Sequence, residues 1–326
     1  MANAIITGIG KYAPDNVLTN KDLEEMVDTS DEWIRQRTGI RERRIADEDT
    51  PTSELALKSA REALKDANLP AEKLDLVLVA TVTPDMFFPA TACLLQEELG
   101  AEKAAAFDLE AGCSGFVYAL SVADQYISSG TYENILIVGA ETLSKIVDWE
   151  DRSTCVLFGD GAGAAVLQPG SEGGILSTIL GSDGSGGESL YIPGGGSLNP
   201  ATEKSVADKL HYIKMEGNQV FKFAVKKMGS ASLEVLEKAD LEPDDVDFFV
   251  PHQANTRIIS AAADRLNLST ENVIVNLPYY GNTSSASVPI ALAEAVEEGR
   301  INKGDLLVLV AFGAGLTWAA AALEWQ

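Results

Sequence analysis

One cysteine of the chain lies among residues whose types suit nucleophilic chemistry. The stretch DLEAGCSGFVYAL, residues 108–120, places Cys113 between Gly112 and Gly115 at the start of an apolar run. This pattern predicts a helix that begins at the cysteine. A thiol at a helix N-terminus faces the positive end of the helix dipole, which lowers its pKa and favours the thiolate. Since the glycines also allow a ligand to approach closely, Cys113 is the candidate nucleophile.

A nucleophilic thiol usually needs a polar partner, and the chain offers two histidines. His252 follows an apolar strand in FFVPHQAN, at a strand end where ligand-facing residues of α/β proteins collect. His211, in KLHYIKM, fits an ordinary position on the surface of a strand. His252 is therefore the candidate partner, although a histidine in a loop also fits a structural role.

Asn282, in YYGNTSSAS, cannot act as a nucleophile but can donate a hydrogen bond without a change of charge. A neutral His252 and Asn282 together can hold a developing negative oxygen, such as that of a thioester enolate. Taken alone, an asparagine after a glycine also fits a turn or a helix cap.

The surroundings of Cys113 and Asn282 resemble each other. Residues 103–120 and 272–292 each contain an apolar strand, a short loop, a glycine, one of these two polar residues and a helix start rich in small residues. This repeat predicts two related halves whose pseudo-twofold arrangement brings Cys113 and Asn282 together. A chance match between two generic α/β halves is the alternative. The boundary is placed in QPGSEGG, so the predicted halves are residues 1–170 and 171–326.

Apolar runs alternate with helical patterns along the whole chain, which predicts an α/β fold with buried strands covered by helices on both faces. Residues 306–323 carry no charge and approach the length of a membrane span, but Gly313 and Gly315 interrupt them. Two buried strands joined by a glycine loop fit better. The clearest elements are strands at 74–81, 133–141, 247–252 and 305–312, and helices at 52–69 and 287–299.

Composition narrows the class of protein. A formal net charge of −24 over 326 residues argues against nucleic acid or an anionic membrane as the main partner. Cys93 and Cys155 fit packing positions in a helix and a strand, and no spacing of metal ligands occurs, so neither a disulfide framework nor a metal site is expected. The sequence starts without a secretory signal, and unpaired thiols are typical of the cytoplasm.

Four motifs carry a family resemblance: AGCSGFVYALSVADQYI, PHQANTRIISA, GNTSSASVPIAL and AFGAGLTW. They resemble the motifs of the β-ketoacyl-acyl-carrier-protein synthase III family, and the similarity extends from TGIGKYAPDNVLTNKDLEEMVDTSDEWIRQRTGIRERR almost to the last residue. The resemblance implies the thiolase fold, with two pseudo-symmetric halves in an α/β/α/β/α arrangement. It also implies a homodimer without a permanently bound cofactor.

The resemblance implies a catalytic triad of Cys113, His252 and Asn282. An acyl-CoA would load its acyl group onto Cys113, and malonyl-acyl carrier protein would then lose carbon dioxide and condense with it to give 3-oxoacyl-acyl carrier protein. The backbone N–H groups of Cys113 and Ala314 would bind the oxyanion, with Ala314 standing where the family usually has glycine. Phe88 matches a residue that limits the acyl pocket across the dimer interface.

Basic residues point to the two substrates. The cluster EWIRQRTGIRERR, residues 32–44, fits an adenine and phosphate site or a solvated charged loop. By resemblance, CoA would contact Trp33, Arg37, Arg152, Asn218 and Asn255. The carrier protein would meet Lys222, Arg257 and Arg265, which also fit an ordinary surface; Asp264, where many relatives are basic, weakens that patch.

Three alternatives remain open at the level of sequence. A related condensing enzyme would take its extender from CoA, a cysteine hydrolase would release an acid, and a silent scaffold would only bind thioesters.

The motif FGDGAGAAVL, residues 158–167, leads into an apolar strand and not a helix, so a dinucleotide site is not expected. Spacing alone does not define the length or branching of the primer.

Overall fold

The computed structural model describes residues 3–326. Strands and helices alternate along the chain, as the sequence predicts. The strands are β1 (Asn3–Tyr12), β2 (Val17–Thr19), β3 (Glu42–Arg44), β4 (Leu76–Ala80), β5 (Ala105–Leu109), β6 (Ile135–Thr142), β7 (Asp160–Gly170), β8 (Gly174–Ser182), β9 (Leu190–Tyr191), β10 (Lys214–Met215), β11 (Phe248–Pro251), β12 (Leu306–Gly313) and β13 (Thr317–Glu324). The helices are α1 (Asn20–Met26), α2 (Asp31–Thr38), α3 (Thr52–Asp66), α4 (Thr91–Leu99), α5 (Gly115–Ser128), α6 (Glu203–Ala207), α7 (Gly217–Lys238), α8 (Thr256–Arg265), α9 (Leu277–Tyr280) and α10 (Ser287–Glu297).

Two sheets have matching topologies. The first has the strand order β1-β7-β6-β4-β5, with parallel pairs among β6, β4 and β5 and antiparallel pairs toward β1. The second has the order β8-β13-β12-β11, with a parallel pair between β11 and β12 and antiparallel pairs toward β8. A parallel bridge from Phe249 to Val273 occupies the place that β5 holds in the first sheet. The two sheets therefore repeat one pattern, one before and one after residue 170.

Five layers result from the way these sheets bury both of their faces. Helices α5 and α10 form a common core with both sheets, through side chains such as Phe116, Leu120 and Leu292. Helices α3 and α4 cover the outer face of the first sheet, and α7 and α8 cover that of the second. The order α/β/α/β/α that the resemblance implied is confirmed.

Side-chain alternation explains why the central strands read as unbroken apolar runs. In β4, Leu76 and Leu78 face the core between the sheets, whereas Val77 and Val79 face α3 and α4. Successive side chains of a strand point to opposite faces, so a strand covered on both sides must be apolar at every position. The same applies to Leu306–Gly313, which pairs antiparallel with β13.

The uncharged segment 306–323 is thus two buried strands joined at the glycine loop, as predicted. Within residues 3–326, no helix combines the length and the apolar character needed to cross a membrane.

The prediction that Cys155 lies in a strand is wrong, since it lies in a series of turns before β7. Its segment instead packs with α1 and α2 in a further apolar cluster beside the first sheet.

Candidate active site

The three candidate residues all follow strands of the two sheets. Cys113 lies in a 3-10 turn, Gly112–Ser114, between β5 and α5. His252 comes directly after β11, and its backbone N–H donates to the carbonyl of Val310 at 2.8 Å. Asn282 precedes a second 3-10 turn, Ser284–Ala286, that leads into α10. The loop-to-helix junctions of the two halves therefore carry the sulfur and the amide, as the repeat predicted.

These side chains converge on one buried cavity. Cys113, His252 and Asn282 are 8%, 1% and 9% exposed, and all three line a cavity of about 210 Å3. Cys113 also lines a larger cavity of about 560 Å3 with mainly apolar walls, including Phe87, Leu143 and Ile213. The thiol of Cys113 therefore faces two cavities, and the smaller one also contains the side chains of His252 and Asn282.

His252 is held as a neutral hydrogen-bond donor. Its Nδ1 lies 2.6 Å from the hydroxyl oxygen of Ser287, which also accepts from the N–H of Gln253 at 3.4 Å. In the tautomer that carries its proton on Nε2, Nδ1 accepts the hydroxyl proton of Ser287. Within the described chain Nε2 has no hydrogen-bond partner. Burial lowers the pKa of His252 to about 3, because the charged imidazolium loses its hydration.

A neutral His252 gives a clear prediction for pH dependence. With its pKa far below neutrality, the ring gains a proton only in strong acid and does not titrate between pH 5 and 8. The variant His211→Asn leaves His252 as the sole histidine, so its ring signals in a 13C-labelled sample are unambiguous. We expect the Cε1 chemical shift to stay constant over this range; a midpoint near pH 6.5 would show that the ring ionises.

Asn282 is fixed from both sides. Its backbone N–H donates to the carbonyl of Leu157 at 2.9 Å, and its own carbonyl accepts from Gly159 at 3.0 Å. The side-chain Oδ1 accepts from the N–H of Ser284 at 2.9 Å. This bond orients the amide group and leaves the Nδ2 hydrogens for the cavity, so Asn282 can donate to a bound oxygen.

Two glycines bring the backbone of Cys113 against the loop that follows β12. A Cβ atom on Gly313 would lie 2.4 Å from the backbone nitrogen of Cys113, and one on Gly112 would lie 2.6 Å from that of Ala314. Ala314 itself is outside the left-handed region, unlike Gly315 at φ 72°. An alanine is therefore compatible with the loop, and the N–H groups of Cys113 and Ala314 are neighbours.

This close approach predicts that Gly313→Ala damages acyl transfer. The new methyl group would occupy the space beside the Cys113 N–H, so an oxyanion could not be bound there without a shift of the loop. We expect a loss of about 10²-fold in the rate of acylation by acetyl-CoA, measured by intact-protein mass spectrometry. Gly196→Ala is the matched control because that position is exposed and open. Equal rates for the two variants would contradict an oxyanion site at this loop.

The predicted lowering of the Cys113 pKa by the helix dipole is wrong. Burial raises the pKa of the thiol to about 12, and the negative field of Glu141 adds to this, while a hydrogen bond from Ser284 opposes it. Removal from water costs a thiolate more than the first turn of one helix returns. The candidate nucleophile is thus a neutral thiol at neutral pH.

The smaller cavity reaches an aromatic and cationic cluster. Trp33 and Arg37 line it together with Cys113. The guanidinium carbons of Arg37 and Arg152 lie 6.0 and 5.2 Å from the centre of the Trp33 ring, and Arg152 donates to the carbonyl of Asp28 at 2.5 Å. Trp33, Arg37 and Arg152, which the resemblance predicts to contact a nucleotide, therefore lie together. Trp33 and Arg37 line the same cavity as the Cys113 thiol.

The two predicted asparagine contacts differ in position. Asn255 lines the smaller cavity, caps α8 and donates to the carbonyl of Arg37 at 2.9 Å. Asn218 is exposed at the start of α7, beside the cavity wall formed by Gly217 and Val220. His211 lies in a turn against Tyr212 and not in a strand, and it lines neither cavity described above.

Comparison with known proteins shows the family of the chain. The family described as 3-oxoacyl-[acyl-carrier-protein (ACP)] synthase III matches residues 107–184, and its C-terminal part matches residues 236–325. The chain is 60% identical to "Beta-ketoacyl-[acyl-carrier-protein] synthase III" of Caldanaerobacter subterraneus subsp. tengcongensis, over 98% of this chain and 97% of that protein. The chain belongs to the 3-oxoacyl-[acyl-carrier-protein] synthase III family.

Further relatives span the full chain. The protein of the same description from Desulfitobacterium hafniense strain DCB-2 is 58% identical, over 100% of this chain and 99% of that one. The crystal structure of 3-oxoacyl-[acyl-carrier-protein] synthase III from Aquifex aeolicus VF5 superimposes with a TM-score of 0.92 at 51% identity, covering 99% and 100% of the two chains. The chain is accordingly an acyltransferase, a condensing enzyme of the initiating step of fatty acid biosynthesis.

The remaining predictions of the synthase III resemblance concern surfaces. Phe88 is 84% exposed, and Phe87, not Phe88, lines the larger cavity of its own chain. Lys222 and Arg265 are exposed on the packed helices α7 and α8, and the guanidinium of Arg257 lies 5.0 Å from the Phe221 ring. Arg265 donates to the carbonyl of Lys226 at 3.1 Å, which joins the two helices.

Three residues of the site were not identified from the sequence. Ser287 supports His252, and Ser284 and the fully buried Glu141 lie behind Cys113. Serines at helix starts and a carboxylate at the end of an apolar strand are common in soluble proteins. Only TSSAS directly after Asn282 is a local signal, since it gives a small loop several hydroxyl groups beside a candidate donor.

Proposed function

We propose that Cys113, His252 and Asn282 carry out the initiating condensation of this family in the present chain. The observation that supports this most directly is their shared cavity, which opens toward Trp33 and Arg37. One sulfur and two neutral donors around one buried space match the needs of acyl transfer followed by stabilisation of an enolate.

In the first half-reaction, the sulfur of Cys113 attacks the carbonyl carbon of an acyl-CoA. The oxyanion of the tetrahedral intermediate accepts hydrogen bonds from the backbone N–H groups of Cys113 and Ala314. The proton that the Cys113 thiol gives up leaves with CoA, which departs as its free thiol. The larger, apolar cavity receives the acyl chain, because burial of methylene groups there is favourable. Phe88, exposed in one chain, is proposed to close the same pocket of a second chain.

In the second half-reaction, malonyl-acyl carrier protein takes the place of CoA. His252 Nε2 and Asn282 Nδ2 donate to the thioester oxygen as the carboxylate leaves as carbon dioxide. The resulting carbanion attacks the acyl group on Cys113 and expels the thiolate, giving 3-oxoacyl-acyl carrier protein. A neutral imidazole suits this role, since it donates without giving up its proton.

The substrates are proposed to enter along one path. Arg37 and Arg152 flank Trp33, so they offer charge to the phosphates of CoA and an aromatic face to its adenine. Asn255 and Asn218 then lie along the pantetheine arm. The carrier protein, which is acidic, would dock on the basic residues of α7 and α8, namely Lys222, Arg257 and Arg265.

Two structural proposals accompany this function. The matching sheets support a division of the chain into halves at residues 1–170 and 171–326. The exposed Phe87 and Phe88, 79% and 84% accessible in one chain, support a homodimer that covers them. We place the enzyme in the cytoplasm, and we propose that it works without a permanently bound cofactor.

A comparison of extenders tests the carrier-protein proposal. With acetyl-CoA as primer, we expect kcat/KM for malonyl-acyl carrier protein to exceed that for malonyl-CoA by about 10²-fold, because only the carrier can contact α7 and α8. Lys222→Ala should reduce this preference, and Arg61→Ala, which removes an exposed charge on α3, is its control. Equal use of both extenders would favour a condensing enzyme that draws on CoA alone.

A further inference from the structure

The buried side chain of Gln253 joins two backbone segments of the candidate active site. It is 1% exposed and lines neither of the two cavities. Its Nε2 donates to the carbonyls of Pro251 at 2.7 Å and Ile274 at 3.1 Å. Its Oε1 accepts from the N–H groups of Asn276 at 3.0 Å and Leu277 at 3.1 Å. The amide thus uses both of its hydrogens and both lone pairs of its oxygen.

This side chain takes the place of strand pairing that the second sheet lacks. In the first sheet, β4 and β5 pair in parallel from end to end. In the second sheet, β11 meets the following segment through one bridge, from Phe249 to Val273, and one hydrogen bond from the N–H of Ile274 to the carbonyl of Phe249 at 2.9 Å. Beyond this point the segment is bound by the Gln253 amide. One side chain therefore sets how far the segment lies from the end of β11.

His252 and Asn282 lie at the two ends of this connection. Gln253 binds the carbonyl of Pro251, the residue before His252. The N–H of Gln253 donates at 3.4 Å to the hydroxyl oxygen of Ser287, which lies 2.6 Å from His252 Nδ1. On the other side, the segment that Gln253 binds leads through α9 to Asn282. The two loops that carry the neutral donors are thus joined through one amide group.

Helix α10 also holds this segment. Glu294 accepts from Asn276 Nδ2 at 2.8 Å and from the hydroxyl of Tyr280, two residues before Asn282. Glu294 therefore anchors the segment to α10, while Gln253 sets its distance from β11.

We propose that Gln253 is a positioning residue that sets the separation of His252 Nε2 and Asn282 Nδ2 and thereby the rate of decarboxylation. This rests on the proposed function, in which both donors bind the thioester oxygen of malonyl-acyl carrier protein. Two donors stabilise one oxygen only if both lie within hydrogen-bond distance of it, so a small shift of either loop weakens the site. Among residues 3–326, the hydrogen bonds of Gln253 do not reach the backbone N–H groups of Cys113 and Ala314, so acyl loading is independent of it.

The variant Gln253→Glu tests this proposal because its hydrogen bonds depend on pH. A protonated carboxyl group still accepts from the two N–H groups and donates once, whereas a carboxylate faces the carbonyls of Pro251 and Ile274 without a proton. Burial and these carbonyl oxygens raise the pKa of a carboxyl group at this position, so we expect it to ionise between pH 6 and 9. Decarboxylation by the acetylated variant should fall over this range, to about 10²-fold below the wild type at pH 9, with loading by acetyl-CoA retained.

Two readouts from one sample separate positioning from stability. Labelled carbon dioxide released from malonyl-acyl carrier protein measures decarboxylation, and intact mass measures the acetylated fraction. The titratable and charged groups beside the connection, His252, Tyr280, Glu294 and Arg44, are also present in the wild type, so a pH-dependent ratio of variant to wild type belongs to residue 253. A ratio that stays constant with pH, or loading that falls in parallel with decarboxylation, would overturn the proposal.

Gln96→Glu is the matched control. Gln96 lies on α4, donates from Nε2 to the carbonyl of Ala101 at 2.7 Å and lines neither cavity. We expect wild-type loading and decarboxylation at each pH. A loss equal to that of Gln253→Glu would count against the proposal, because exchange of an amide for a carboxyl group would then act without reference to the site.

Gln253→Asn keeps the proposal testable should Gln253→Glu fail to fold. Its amide is one methylene too short to reach both segments, so it should slow decarboxylation at every pH and spare loading. A wild-type rate of decarboxylation in Gln253→Asn would overturn the proposal. Wild-type enzyme that releases no carbon dioxide from malonyl-acyl carrier protein would instead refute the proposed function.

Discussion

Cys113→Ser is expected to lose acyl loading almost completely, by about 10³-fold or more. A hydroxyl at this position has a much higher pKa than a thiol and is a weaker nucleophile toward a thioester. The Cys113 side chain is only 8% exposed, and this burial already keeps the thiol neutral at rest. Deprotonation of a serine hydroxyl at the same position would need a far stronger base than the site contains. Incubation with acetyl-CoA and weighing of the intact protein measures the effect, since each loaded acetyl group adds a defined mass.

The chain supplies its own control for this substitution. Cys93→Ser alters a half-buried thiol in α4, and we expect loading to stay at the wild-type level. Retained loading in Cys113→Ser, or its loss in Cys93→Ser, would show that the nucleophile is misassigned. The outcome also tests two of the functions left open by the sequence, because a scaffold carries no acetyl group and a hydrolase releases acetate.

Asn282→Ala is expected to spare loading and to slow decarboxylation by about 10²–10³-fold. The acyl-transfer oxyanion rests on backbone N–H groups, whereas the enolate oxygen needs His252 Nε2 and Asn282 Nδ2. Loss of one of these two donors therefore affects the second half-reaction alone. Release of labelled carbon dioxide from malonyl-acyl carrier protein measures this step, and intact mass measures loading in the same sample.

A second variant isolates the donor from its structural role. Asn282 also accepts from the N–H of Ser284 at 2.9 Å, so alanine removes a buried hydrogen bond worth about 1 kcal/mol. Asn282→Asp keeps that acceptor but has no amide hydrogens, and we expect it to be as slow in decarboxylation as the alanine variant. Collapse of loading with decarboxylation intact would reverse the assigned roles of the two half-reactions.

Sequence patterns determined the framework of the fold. The strands at 74–81, 133–141, 247–252 and 305–312 were predicted because a strand buried on both faces must be apolar at each position, and the structure contains all four. The repeat around Cys113 and Asn282 predicted two halves with the same architecture. The structure contains two sheets with matching strand orders, in which the loops of Cys113 and Asn282 lie at equivalent positions. Periodicity failed for Cys155, because a short apolar segment packs equally well as turns.

Tertiary structure alone decided the state of the site. Helix position favours a low pKa for Cys113, yet the structure shows that dehydration raises it to about 12. The same burial makes His252 a neutral donor rather than a base.

The support of Ser287 for His252 and the hydrogen bond of Ser285 to Glu141 join residues 35 or more positions apart. Local sequence fixes which groups are present and which backbone forms they prefer. Their charge depends on how much water the whole fold removes and on which distant partners it brings within hydrogen-bond reach.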